Sequence, residues 1–225
     1  MLVAAYGKIL PLWLLELPYV APVNIHFSLL PKYRGASPIQ AAILNGDINS
    51  GVTVMKMTER MDEGPIYSKY SVPIEVNDNK KTLEEKLTKK SIVIIENELK
   101  NIFNKKLIPK EQDQKQVQYC SKITKLSGRV EFTKETSESI IKKFNAFYGW
   151  PGIFFERNNI AIKIHGIEPL DKFSNIKFSK DIKLLPSGLA FKTKDKPIVI
   201  TRLQFPGKQI ISSKDAINSY AEFFK

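Results

Sequence analysis

Residues 23–40 read "VNIHFSLLPKYRGASPIQ". The first residues read as a strand, a proline-bearing loop follows, and Ser37-Pro38 opens a new segment. Residues two apart in a strand project to the same face, so Asn24 and His26 point together while Ile25 and Phe27 turn away. The chain has only two histidines, and a buried strand would favour another valine at position 26. An amide can donate to a developing oxyanion, and an imidazole can donate or accept a proton near neutral pH. The pair also lies at the strand's C-terminal end, where ligands bind in open α/β sheets. The competing reading is a histidine that is simply structural.

The flanking segments read as α/β. "MLVAAYG" (1–7) is an apolar run ended by glycine, as expected of a buried parallel strand. Residues 11–17 predict a short helix with Pro11 at its start. Ser37-Pro38 predicts the cap and first turn of the helix "PIQAAILN", stopped by Gly46. "GVTVMKMT" (51–58) and "IYSKYSVPI" (66–74) are β-rich, with "ERMDEGP" between them. Asp62 in that loop is the second titratable candidate, because a carboxylate near His26 would hold the ring in one orientation. Glu63 is its rival, and an aspartate beside glycine often only forms a turn. Thr82 with Glu85 matches a capping box. It would open an amphipathic helix to about Phe103, with Leu83, Leu87, Ile94, Ile95, Leu99 and Ile102 on one side.

The polar stretch 105–118, with Pro109, predicts a linker between domains 1–104 and 119–225. Beyond it comes a short helix near 137–147, then closely spaced strands. Asn158-Asn159 reads as a hairpin turn, "PSG" (186–188) as another, and Ser213 as the cap of a terminal helix. This texture predicts a small barrel or sandwich.

Charge divides the halves. Of 35 Lys+Arg and 23 Asp+Glu, residues 1–104 hold 12 and 11, and residues 105–225 hold 23 and 12. The excess in the second half suggests a polyanionic partner, nucleic acid, or else a lysine-rich surface kept for solubility. Lys142, Lys143, Lys192, Lys194 and Lys208 are candidate contacts from charge clustering. No apolar run reaches the ~18 residues of a membrane span, and the N-terminus lacks a signal peptide's basic region and cleavage site. The single cysteine, Cys120, excludes an intramolecular disulfide and suits a reducing cytoplasm. No metal site is predicted from so few thiols and imidazoles. Neither Cys120 nor Ser28 has a nucleophile's sequence context, and His165 reads as structural.

"VAAYGKILP", "NIHFSLLPKYRGASPIQAAILNGD" and "SGVTVMKMTERMDEGPIY" resemble the catalytic core of the formyltransferase family, in its methionyl-tRNA formyltransferase branch. "YCSKITKLSGRVEFT", "KKFNAFYGWPG" and "LQFPGKQIISSKDAINSY" are similar to that branch's C-terminal domain. The resemblance implies a partial Rossmann-like formyltransferase domain, then an OB-like barrel domain that binds tRNA. It implies that 10-formyltetrahydrofolate is the co-substrate and initiator methionyl-tRNA the acceptor, with no metal, in a cytoplasmic monomer. Asn24, His26 and Asp62 match the family's catalytic trio, and Ser28, Leu29, Leu30 and Pro31 match the segment lining its folate site. Members of the family begin with further strand–helix units ahead of the "VAAYG" strand. The expectation is therefore the second half of a doubly wound sheet with one edge exposed, and transfer impaired by the missing units. The alternatives are a non-catalytic tRNA-binding remnant, or a formyltransferase acting on another amine.

Overall fold

The computed structural model describes residues 1–168, 178 and 180–224. Two compact units divide the chain, Met1–Ile123 and Thr124–Lys225.

In the first unit the elements are β1 (Leu2–Ala4), α1 (Leu12–Glu16), β2 (Val23–His26), β3 (Arg34–Gly35), α2 (Pro38–Asn45), β4 (Asn49–Lys56), β5 (Ile66–Pro73), α3 (Lys80–Phe103) and β6 (Tyr119–Cys120). The main sheet has the order β1-β2-β4-β5. Only β1 and β2 are parallel, and β2–β4 and β4–β5 are antiparallel. The expected parallel half-sheet is thus a mixed sheet, because the short "ERMDEGP" connection returns β5 directly beside β4. β1 stands at the edge with Leu2 and Ala4 exposed, rather than buried as its composition suggested.

Helix α3 lays Leu83, Leu87, Ile94 and Ile102 in the core, but the same stripe carries Ser91 and Glu98. Glu98 is 3% exposed and accepts hydrogen bonds from the Ser68 and Tyr70 hydroxyls of β5, so the carboxylate is buried with donors in place. The helix begins one turn earlier than expected. Asn79 is the cap, its side chain accepting from the Lys81 and Thr82 N–H groups, and the Thr82 hydroxyl accepts from the Asn79 N–H. Thr82 therefore closes the capping box as its third residue instead of opening it. In α2, Pro38 takes the first position and Gly46 the left-handed stop at φ 69°, while the Ser37 side chain makes no capping bond.

Residues 105–118 are not a free linker. Lys110 bridges Ile66, Gln112 is 5% exposed, and Tyr119 and Cys120 pair in parallel with Arg34 and Gly35. Most of its side chains are polar and exposed, but Gln112 is buried among the residues around Arg34, and composition alone misreads that one position.

The second unit holds α4 (Ser137–Ala146), β7 (Ile153–Arg157), β8 (Ile160–Glu168), β9 (Ile182–Leu185), β10 (Gly188–Phe191), β11 (Ile198–Gln204), β12 (Ile210–Ser212) and α5 (Ser213–Phe224). Asn158 and Asn159, both at positive φ, make the two-residue hairpin turn between β7 and β8. The sheet is antiparallel in the order β7-β8-β11-β10-β9, with β12 also on β11. Among the described residues, β7 and β9 end the sheet without pairing to each other, so no closed barrel forms. The core is aliphatic and aromatic, with Ile153, Phe155, Ile162, Leu189, Phe191, Ile198 and Ile200 buried. Ser212, not Ser213, caps α5 by accepting from the Asp215 N–H, whereas the Ser213 hydroxyl donates to the Ile200 carbonyl.

The start of α4 supplies a pH-sensitive contact. Burial pushes the Asp195 carboxyl up, but hydrogen bonds from the Ser137 and Lys196 N–H groups and from the Thr193 and Ser137 hydroxyls outweigh it and hold it at about 2. A carboxylate depressed in the folded state stabilises above its unfolded value near 4 and loses that contribution as pH falls toward 2. Denaturant unfolding is expected to show Asp195→Asn less stable than the parent at pH 6. The difference should shrink between about pH 4 and 2, where the parent carboxylate is protonated.

Candidate functional site

The site is assembled by three consecutive residues, Tyr33 and the two residues of β3, Arg34 and Gly35. The Tyr33 carbonyl accepts from His26 Nε2 at 2.9 Å. Because a carbonyl only accepts, Nε2 carries the proton and Nδ1 faces the other way. Arg34 is 1% exposed and aims its guanidinium inward. The Gly35 N–H donates to Asp62 Oδ2 at 2.8 Å, and the same oxygen lies 3.6 Å from His26 Nδ1. His26 and Asp62, 36 positions apart in the sequence, therefore meet. Glu63, the rival carboxylate, turns to Arg34 at 3.5 Å and to Arg60 at 3.6 Å.

Asn24 sits on β2 in register with Val3 and Met55, half-buried. Its amide bonds to no described residue and is not sealed from solvent. It shares the strand face of His26, so that face carries a donor without a described partner and an imidazole with one anchored nitrogen.

The loop 59–64 reaches the site under constraint. Asp62 adopts a left-handed φ of 55°, which costs an L-residue about 1 kcal/mol. Gly64 runs so close to β4 that a Cβ there would lie 1.8 Å from the Lys56 carbonyl oxygen.

Residues 28–31 divide in role. Leu30 is fully buried, its N–H donates to Thr53 Oγ1 at 3.2 Å, and its carbonyl accepts from Lys69 at 3.2 Å. Ser28 is also buried, its hydroxyl donating to the Lys32 carbonyl. Pro31 is buried, and Leu29, packed over Gly51, keeps partly exposed apolar surface.

Sequence reading missed the backbone partners Tyr33 and Gly35, and it missed Gln112 altogether. Cys120, expected at the start of the second domain, lies in the first unit on β6 against the Tyr33 and Arg34 carbonyls and the Ser37 N–H. Burial pushes its thiol up, so it acts there as a donor. Burial and then Asp47 raise the Tyr33 phenol to about 12, and its hydroxyl donates to that carboxylate. Among the described residues no group of three or more His, Cys, Asp or Glu side chains is arranged to hold a metal, and no helix is long and apolar enough to cross a membrane.

Comparison with known proteins adds two family matches. Residues 1–99 match the family described as formyl transferase, and residues 122–221 match the formyl transferase C-terminal domain. A methionyl-tRNA formyltransferase of Caldicellulosiruptor saccharolyticus is 36% identical over 97% of this chain, which spans 70% of that relative's length. One from Legionella pneumophila is 35% identical, with 69% of its length spanned. Among solved structures, HypX from Aquifex aeolicus in complex with tetrahydrofolic acid superposes with a TM-score of 0.66 at 19% identity, over 91% of this chain and 36% of that one. The methionyl-tRNA formyltransferase of Clostridium thermocellum gives 0.60 at 16%, over 94% and 78%.

Proposed function

This chain belongs to the formyltransferase family, in its methionyl-tRNA formyltransferase branch, and on that premise we propose that it transfers the formyl group of 10-formyltetrahydrofolate to the α-amine of methionine on initiator tRNA. The observation that carries the reading is the meeting of His26 and Asp62, with the unpartnered amide of Asn24 on the same strand face as His26. The amine attacks the formyl carbon, and the carbonyl oxygen becomes a tetrahedral oxyanion. Asn24 donates to that oxygen. His26, its Nε2 anchored on the Tyr33 carbonyl, presents Nδ1 toward the reacting group. Asp62 orients the ring and takes part in moving the proton from the attacking amine toward the departing folate nitrogen. Collapse of the intermediate breaks the carbon–nitrogen bond to folate, with no covalent enzyme intermediate. Leu29 offers apolar surface to the pterin side of the co-substrate, while Ser28, Leu30 and Pro31 hold the segment's shape.

On this reading the second unit is an OB-like tRNA-binding domain, and its excess of Lys+Arg over Asp+Glu, 23 against 12 in residues 105–225, favours a polyanionic acceptor over a small amine. The protein works as a cytoplasmic monomer without a metal. Incubation of the 225-residue chain with 10-formyltetrahydrofolate and charged initiator tRNA is expected to yield formylmethionyl-tRNA, with tRNA affinity falling steeply as salt rises. Absence of transfer by a folded chain that still binds the tRNA would refute the catalytic reading and leave the binding remnant.

A further inference from the structure

Gln112 lies between the two family-matched segments, in the stretch whose composition reads as a linker. The residue is 5% exposed and every hydrogen-bonding position on its side-chain amide is taken. Oε1 accepts twice from Arg34, from Nε at 3.0 Å and Nη2 at 2.9 Å. Nε2 donates twice, to the Asp62 carbonyl at 2.7 Å and the Gly64 carbonyl at 2.8 Å. A guanidinium only donates and a carbonyl only accepts, so the orientation of the amide is unambiguous. Few side chains offer two acceptor positions at one end and two donors at the other. Arg34 cannot swing to meet it, because Nη1 is also engaged by Glu63 and the Tyr119 hydroxyl.

We propose that Gln112 is a positioning residue for formyl transfer, fastening the Asp62–Gly64 backbone to the buried Arg34 so that the Asp62 carboxylate is held toward His26 Nδ1. The left-handed conformation of Asp62 is what needs holding. Released from Gln112, residue 62 relaxes toward an ordinary backbone region and its carboxylate leaves both the Gly35 N–H and the imidazole. Arg34 and Gly35 thus fix the same aspartate twice, once through the Gln112 amide and once through a backbone N–H. This rests on the proposed roles of His26 and Asp62 in transfer.

The test uses Gln112→Glu in the full chain. This variant keeps an acceptor for Arg34 but replaces the two donors to the loop, whereas alanine would strand a buried guanidinium. With Asp62 displaced, kcat is expected to fall about tenfold or more, with KM for the tRNA within about threefold. In an Asp62→Asn background the same substitution should cost less than about twofold, because residues acting as a unit are non-additive. The His26 imidazole nitrogens, followed by NMR in a chain with only two histidines, should show the same Nδ1 displacement in Gln112→Glu as in Asp62→Asn. An unmoved Nδ1 signal, or losses that multiply in the double variant, would overturn the proposal. If the parent transfers no formyl group, the functional reading fails, while the imidazole spectra still decide the role of Gln112.

Discussion

Asn24→Ala is expected to lower the rate of formyl transfer by about 10²–10³-fold, the usual consequence of removing one donor to a developing oxyanion. The amide makes no hydrogen bond to any described residue and is open to solvent, so its removal leaves no buried group unpaired. Thermal stability should therefore change by no more than about 0.5 kcal/mol. That separation is the informative part. Single-turnover transfer, measured beside a melting curve, reads the loss of transition-state contact apart from any loss of fold. His26→Ala should be at least as severe in rate but should also cost stability, because His26 is buried and its removal abandons the Tyr33 carbonyl. A transfer rate within about threefold of the parent in Asn24→Ala would remove the amide from the reaction.

Gly64→Ala is expected to damage stability and transfer together. The added Cβ would lie 1.8 Å from the Lys56 carbonyl oxygen and 3.2 Å from Met55 Cε. The strand cannot retreat freely, because the Lys56 N–H donates to the Pro65 carbonyl at 2.9 Å just beside the clash. The loop must lift instead, which pulls the Gly64 carbonyl off Gln112 and moves Asp62. Forced overpacking of this kind costs about 2–3 kcal/mol, and a displacement near 1 Å at a reacting group costs about 10²-fold in rate. Gly7→Ala is the matched control, since nothing lies within 4 Å of its added Cβ. Urea denaturation and transfer kinetics on both variants check the prediction, and a Gly64→Ala chain as stable and active as Gly7→Ala would contradict the packing described.

Several features were legible from local pattern. The two-apart spacing of Asn24 and His26 puts them on one strand face in any sheet, because side-chain alternation belongs to the backbone itself. Asn158-Asn159 makes its turn because asparagine tolerates positive φ. Pro38 and Gly46 bound α2 for equally local reasons. Legibility ended where one signal served two geometries. Thr82 fits a capping box as first or third residue, and only the Asn79 side chain decided which. An apolar "MLVAAYG" suits a buried strand, yet burial of β1 depends on what lies beside it, and the sheet leaves it at the edge.

The amino-acid sequence by itself determined the α/β-then-β order, the shared strand face of Asn24 and His26, and the uneven charge of the two halves. Each of these depends on residues within one or two turns of each other, or on sums over a segment. The tertiary structure alone decided that Asp62, not Glu63, faces His26, that among the described residues β7 and β9 end the second sheet without pairing to each other, and that a glutamine in an apparent linker bonds both Arg34 and the loop carrying Asp62. Gln112 is 78 positions from Arg34 and 50 from Asp62. A hydrogen bond acts over about 3 Å of space and carries no signature along the chain, so its partners become visible only when folding has brought them together.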